Sequence, residues 1–283
     1  MSPIITAMLV MACLGLVMSL FLGIAAKIFY VYVDPRVEEI SDILPGANCG
    51  GCGYAGCSDY AEAIVKGEAP PNKCVAGGEN VIEAVCAIMG VKATLEERKV
   101  TKIFCRGDNE KARRDFKYLG AEDCYAAILL TGGDKSCKYG CVGLGSCVKA
   151  CPFGGITMGE NGLPVINEDM CTGCGSCVEA CPRNIPKLVP VSQKVAALCC
   201  SLDTGKMVKS VCSVGCIGCG ICQKKCPEGA ITMVDSLPRI DVKKCTGCLE
   251  CVEKCPTKAM ACLFPGVKTE AEDKQEKEAA DAA

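Results

Sequence analysis

The sequence predicts an α+β chain made of one apolar N-terminal helix, a small cysteine-bound domain and two tandem β-α-β repeat units. Three observations predict it. They are an uncharged stretch of 23 residues from Ile4 to Ala26, a cysteine group between Cys49 and Cys74, and a cysteine run that occurs four times between Cys141 and Pro256.

The uncharged stretch, as a helix rising about 1.5 Å per residue, is roughly 35 Å long, enough for a hydrocarbon core of about 30 Å. No Lys or Arg precedes it and it is longer than the apolar part of a usual signal peptide, so a retained transmembrane anchor over residues 1–33 is expected. Lys27 and Arg36 follow it. By the positive-inside rule the chain then crosses the inner (cytoplasmic) membrane once, with its large C-terminal part in the cytoplasm. Cys13, inside the stretch, reads as a small membrane-buried side chain.

The rest of the chain is organised by cysteine. Of 283 residues 28 are Cys, while aromatic residues reach only 5%, so aromatic packing cannot dominate the interior. Cysteine at this density means either a disulfide scaffold or metal binding. Short repeated C-x-x-C spacings, in a reducing compartment, favour metal. With no histidine, His-ligated haem, Rieske centres and most zinc catalysis are excluded. The 31 basic and 33 acidic residues nearly cancel and suggest no nucleic-acid partner.

Residues 34–90 are expected to form the small domain, entered through a connector from Asp34 to Pro45. Cys49 and Cys52 lie in a Gly-rich loop, Cys57 opens a helix with Tyr60, Ala61 and Ile64 at apolar spacing, and Cys74 returns after Pro70-Pro71. One 4Fe-4S cluster is the natural occupant. Zinc, which also takes four thiolates, is the alternative. Residues 91–135 form a basic segment carrying Arg98, Lys99, Lys102, Arg106, Lys111, Arg113, Arg114 and Lys117, read as a solvated helical face.

The four runs are CVGLGSCVKACP from Cys141, CTGCGSCVEACP from Cys171, CIGCGICQKKCP from Cys216 and CTGCLECVEKCP from Cys245. Three follow C-x-x-C-x-x-C-x-x-x-C-P without exception, the bacterial ferredoxin run, in which the fourth Cys ligates the other cluster of a pair. Starts 30, 45 and 29 residues apart group them into two dicluster ferredoxin-like units, 136–190 and 191–265. LPVIN from Leu163 and LPRID from Leu237 are expected strands before the second run of each pair.

Crossing ligands within each pair gives Cys171, Cys174, Cys177 and Cys151 for one cluster. Cys216, Cys219, Cys222 and Cys255 make a second, and Cys245, Cys248, Cys251 and Cys226 a third. In the first run Leu144 stands where a Cys is due, leaving Cys141, Cys147 and Cys181. Cys137, one helical turn before Cys141, is expected to supply the fourth thiolate. Five clusters use 20 cysteines; Cys13, Cys86, Cys105, Cys124, Cys199, Cys200, Cys212 and Cys262 remain. Cys105 and Cys124 stand either as buried free thiols or as ligands of a sixth cluster, and Cys199, Cys200 and Cys212 permit the same reading more weakly. The polar tail, residues 266–283, is expected to be disordered.

The apolar helix, LPGANCGGCGYAGCSDYAEAI with the later Cys74, and the paired runs together resemble RnfB, the iron-sulfur subunit of the Rnf complex, the membrane ferredoxin:NAD oxidoreductase, in its longer form. The resemblance implies an electron-transfer subunit that accepts electrons from reduced ferredoxin and passes them to membrane partner subunits. The whole complex would couple this to sodium or proton translocation and NAD reduction.

The chain itself has no acid within its apolar helix to form an ion path and no G-x-G-x-x-G after a strand for nicotinamide or flavin; no catalytic residue is assigned. Two other readings remain, a cluster-assembly protein and an iron-sulfur subunit or activator of a corrinoid or carbon monoxide dehydrogenase system. Lys149, Lys224, Lys225, Lys243 and Lys244 near the runs are either solvated surface or a dock for an acidic carrier.

Overall fold

A computed structural model describes residues 3–29, 34–94 and 97–263; the expected tail, 266–283, lies outside them. Helix α1 (Pro3–Ile28) covers the uncharged stretch and is long and apolar enough to cross a membrane, with a mean hydropathy of 2.5. Its described side chains do not pack against the rest of the chain. An all-round apolar helix without a protein partner suits a lipid environment.

Three helices make the small domain: α2 (Pro35–Ile43), α3 (Cys57–Val65) and α4 (Gly78–Met89). Asp34 caps α2 by accepting the Arg36 amide at 3.0 Å, with Pro35 at the first helical position, where its missing N–H costs nothing. Ile40, Tyr60, Ile64 and Val85 are fully buried between the helices. The Tyr60 hydroxyl donates to Pro70 O at 2.8 Å and accepts from the Lys73 amide at 3.0 Å, which fixes the returning chain just before Cys74.

Then comes strand β1 (Lys99–Ile103), followed by α5 (Cys124–Thr131), α6 (Ser146–Lys149), β2 (Ile156–Met158), β3 (Pro164–Ile166), α7 (Ser176–Glu179) and β4 (Pro186–Pro190). β2 and β3 form an antiparallel hairpin, and β4 returns to pair antiparallel with β1, Ile103 facing Pro186. The stretch 91–135, expected to be a solvated helical face, thus delivers a strand whose Val100 and Thr101 are buried. Lys102 pairs with Glu168 and donates to Leu263 O at 2.7 Å. Basic residues alternating with apolar ones mark a half-buried strand as readily as a helix face.

The order then recurs: β5 (Val195–Ala197), α8 (Gly205–Val211), α9 (Ile221–Lys224), β6 (Ile231–Val234), β7 (Leu237–Ile240), α10 (Glu250–Glu253) and β8 (Met260–Cys262). β6 pairs with β7, and β8 returns to β5, Ala197 facing Met260. β3 and β7 are the expected LPVIN and LPRID strands. The one-turn helices α6, α7, α9 and α10 each follow a cysteine loop. In all four loops the residue two after the first Cys is a glycine in the left-handed region, at Gly143, Gly173, Gly218 and Gly247. A side chain at Gly173 would also meet Lys99 O at 2.4 Å, so the loop lies flat on β1 only because this residue is glycine.

Candidate metal centres

Cysteine side chains gather around a series of hollows. Among the described residues no three His, Cys, Asp or Glu stand close enough to hold a single metal ion; the thiols instead line hollows.

Cys49, Cys52, Cys57 and Cys74 line the first hollow, under Leu44 and Tyr60. Asn48 Oδ1 accepts the Cys57 amide at 2.8 Å, tying the loop to the start of α3. The Gly51 amide donates to Cys49, and the Gly77 amide to Cys74. This hollow abuts the second run. Ser176 Oγ donates to Cys49 O at 3.2 Å, and a Cβ on Gly51 would lie 3.0 Å from Cys174 O.

Cys151, Cys171, Cys174 and Cys177 line the second hollow, the crossed set expected from the runs. β1 closes it: the Thr101 amide donates to Cys171 Sγ at 3.4 Å and Thr101 Oγ1 lies 3.4 Å from Cys177 Sγ.

The third hollow departs from expectation. Cys141, Cys147 and Cys181 line it as anticipated, but their companion is Cys124, not Cys137. Cys124 opens α5, which Asp123 caps by accepting the Ala126 amide at 2.8 Å, and its own amide donates to Ser146 Oγ at 2.8 Å, at the start of α6. The hydrogen bond brings α5 to the loop in which Leu144 replaces a cysteine. The Ile185 amide donates to Cys181 Sγ at 3.4 Å.

In the second half of the chain, burial first and then the nearby Cys219 and Cys255 raise the Cys216 and Cys222 thiols, and burial first and then Cys248, Cys245, Cys222 and Cys226 raise Cys251. These are again the crossed sets. Cys219 and Cys248 are exposed, whereas Cys222 and Cys251 are buried.

Cys137 lines another hollow, between the two halves, together with Cys105, Cys199, Cys200 and Cys212. Arg183 separates it from the third hollow, donating to Cys137 O at 3.1 Å and Gly140 O at 2.7 Å. Cys105 and Cys124, grouped together by the sequence pattern, therefore belong to different hollows. Their sorting was invisible in the sequence because α5 and β1 approach the runs only through tertiary packing.

Burial pushes the thiols up: Cys141, Cys147 and Cys251 to about 12, Cys199 and Cys222 to about 11. Without a metal these groups are neutral at pH 7, and a metal that binds them as thiolates must release their protons. All-sulfur donor sets ringed by backbone amides fit iron-sulfur clusters, whose anionic sulfurs accept such hydrogen bonds.

Comparison with known proteins agrees with this chemistry. Residues 44–76 match an Fe-S cluster family, 141–155 and 164–187 match 4Fe-4S binding domain families, and 215–259 match a 4Fe-4S dicluster domain family. The chain is 50% identical to the B subunit of the proton-translocating ferredoxin:NAD(+) oxidoreductase complex of Clostridium ljungdahlii, over 85% of each chain. It is 46% identical to the B subunit of an ion-translocating oxidoreductase complex of Methanosarcina acetivorans, over 86% of this chain and 92% of that one. To the B subunit of the Na(+)-translocating ferredoxin:NAD(+) oxidoreductase complex of Acetobacterium woodii it is 43% identical, over 83% and 71%. With 4Fe-4S domains along its length and this degree of identity, the chain belongs to the RnfB family, the B subunits of ion-translocating ferredoxin:NAD(+) oxidoreductase complexes, as an electron-transfer subunit.

Proposed function

We propose that this chain is a membrane-anchored relay that takes electrons one at a time from reduced ferredoxin and hands them to membrane subunits of the same complex. A 4Fe-4S cluster, when bound, accepts and returns a single electron at a potential set by burial, charge and hydrogen bonds to its sulfurs.

The observation that carries the reading is proximity: one cysteine-lined hollow is shared by the two halves of the chain, and the hollow of the small domain abuts the second run, where Gly51 packs closely on the backbone of Cys174. We assign five clusters, held by two tandem dicluster ferredoxin-like units and the small domain. Their ligands are Cys49, Cys52, Cys57, Cys74; Cys151, Cys171, Cys174, Cys177; Cys216, Cys219, Cys222, Cys255; and Cys226, Cys245, Cys248, Cys251. The fifth set is Cys124, Cys141, Cys147, Cys181, with Cys124 taking the place expected for Cys137.

The residues also suggest a direction. Exposed Cys219 and Cys248 are each followed or preceded within six residues by exposed lysines, Lys224 and Lys225 or Lys243 and Lys244, which in this reading receive an acidic ferredoxin. The small domain follows α1 directly, which in this reading spans the membrane once and leaves both units on the cytoplasmic side, beside Lys27. In this reading the chain transforms no substrate itself, and NAD reduction and ion movement belong to other subunits.

The test is iron and acid-labile sulfide analysis of the anaerobically purified protein, with redox-titrated EPR. At least about 20 irons, four per site, with matching sulfide are expected. Zinc without sulfide would sink the relay.

A further inference from the structure

The hollow between the two halves has no role in that assignment, yet it is built by a duplicated device. In the first half, Ile103 pairs with Pro186, five residues after Cys181; in the second, Ala197 pairs with Met260, five residues after Cys255. The next backbone bonds match as well, Phe104 N to Ile185 O and Leu198 N to Ala259 O. Phe104 is thus the structural counterpart of Leu198, and Cys105 of Cys199. Both sulfurs also lie beside the first cysteine of the following run: the Cys141 amide donates to Cys105 Sγ at 3.4 Å, and Cys199 neighbours the backbone of Cys216. The second contribution is duplicated too: Cys137-Lys-Tyr-Gly-Cys141 has its equal in Cys212-Ser-Val-Gly-Cys216.

We propose that Cys105, Cys137, Cys199 and Cys212 bind a sixth 4Fe-4S cluster at the pseudo-symmetric junction of the two halves, each half supplying two thiolates.

Three further observations support the site. The halves are bonded together around it: the Arg113 amide donates to Val211 O at 2.8 Å, the Ser213 amide to Lys111 O at 3.0 Å, and Lys138 pairs with Asp203 at 3.6 Å. Gly107 is the common neighbour of two of the ligands, since a Cβ there would lie 3.3 Å from Cys212 Sγ and 3.7 Å from Cys105 Sγ.

Lys135, which lines the hollow, is buried at 4% exposure, donates to Gly107 O at 2.8 Å and has no carboxylate partner among the described residues. A buried ammonium needs a compensating anion, and a four-thiolate cluster is one. Cys200, the fifth thiol of the hollow, instead donates to Phe104 O at 3.5 Å, and its structural counterpart is Arg106.

This inference adds to the five-cluster reading and is separable from it. Iron and sulfide are measured on the full-length anaerobic protein and its variants. About 24 irons are expected in the wild type, and about 20 in Cys199→Ser and in Cys212→Ser, with the EPR signals of the other clusters retained. Cys200→Ser should keep the wild-type content. A wild type with about 20 irons, or a Cys212→Ser variant with unchanged iron, overturns the sixth site and leaves the other five standing; absence of sulfide overturns both.

If the variants lose all their clusters, alkylation of the wild type decides. Cys105, Cys137, Cys199 and Cys212 should resist the reagent while iron is bound and react once a chelator has removed it, and equal reactivity in both states refutes the site.

Discussion

The two halves of the cysteine-rich region share one plan and differ in how they complete it. In the second half the lead-in from Cys199 to Cys212 is short, and the following run carries all its cysteines. In the first half the path from Cys105 to Cys137 is a long detour containing α5, and the run has Leu144 in place of a cysteine. In the proposed assignment the detour and the gap belong together, because α5 brings Cys124 to the hollow whose run has Leu144 in place of a cysteine. A cluster needs four thiolates in space, and the chain can provide the last one locally or at a distance.

The largest effect should come from erasing that difference. Cys124→Ser is expected to remove one cluster, about four irons, and a second change, Leu144→Cys, to restore it by giving the first run the pattern of the others. Iron content and EPR of the single and double variants check this. Leu144→Cys should give no such rescue in a Cys137→Ser background, since Cys137 lines the other hollow.

A smaller change is expected where the paired strands differ. By the same register Thr101 is the counterpart of Val195. Thr101 is buried with its hydroxyl against Cys177 Sγ. Thr101→Val makes the first unit like the second and removes that hydrogen bond. The reduced, more negative cluster loses more than the oxidised one, so its midpoint potential should fall. One bond of roughly 0.5–1.5 kcal/mol corresponds to about 20–60 mV for one electron. A redox titration would show the shift without loss of iron.

The smallest effect concerns Asp123, which has no counterpart in the second half. The Ala126 amide first, and then Ser146, hold its carboxyl below the ordinary carboxylate value. Its contribution to α5 is therefore complete above about pH 4, the ordinary carboxylate value, and fades as pH falls through the lower folded value. Asp123→Ala should speed amide exchange across α5 at pH 7 and leave the second half unchanged. In the wild type a similar loosening should appear only in strong acid.

What the sequence revealed tracks how local the determinants are. The runs, their crossed partners, the LPVIN and LPRID strands and the Cys49 to Cys74 set are all specified by short spacings and repeats, and the structure brings the cysteines of the Cys49 set and of the second run with Cys151 to common hollows. Strand β1 was missed because its partner β4 lies beyond the whole first unit and its basic residues suit a helix face equally well. Cys124 was separated from its companions by a hydrogen bond, Cys124 N to Ser146 Oγ, that no spacing rule encodes. Proximity in sequence groups Cys137 with Cys141, but the C-x-x-G-C turn places its two cysteines in different hollows.

The contact of Gly51 with Cys174 bears on the speed of the relay. Electron tunnelling falls exponentially with distance, so the slowest link is set by the widest gap between neighbouring centres. Where the small domain meets the first unit the loops pack closely at Gly51, where a Cβ would come within 3.0 Å of Cys174 O and make its neighbours give by a few tenths of an ångström. In the proposed relay a methyl group there would act as a small spacer in the wire, lengthening the hop between the small domain and the first unit.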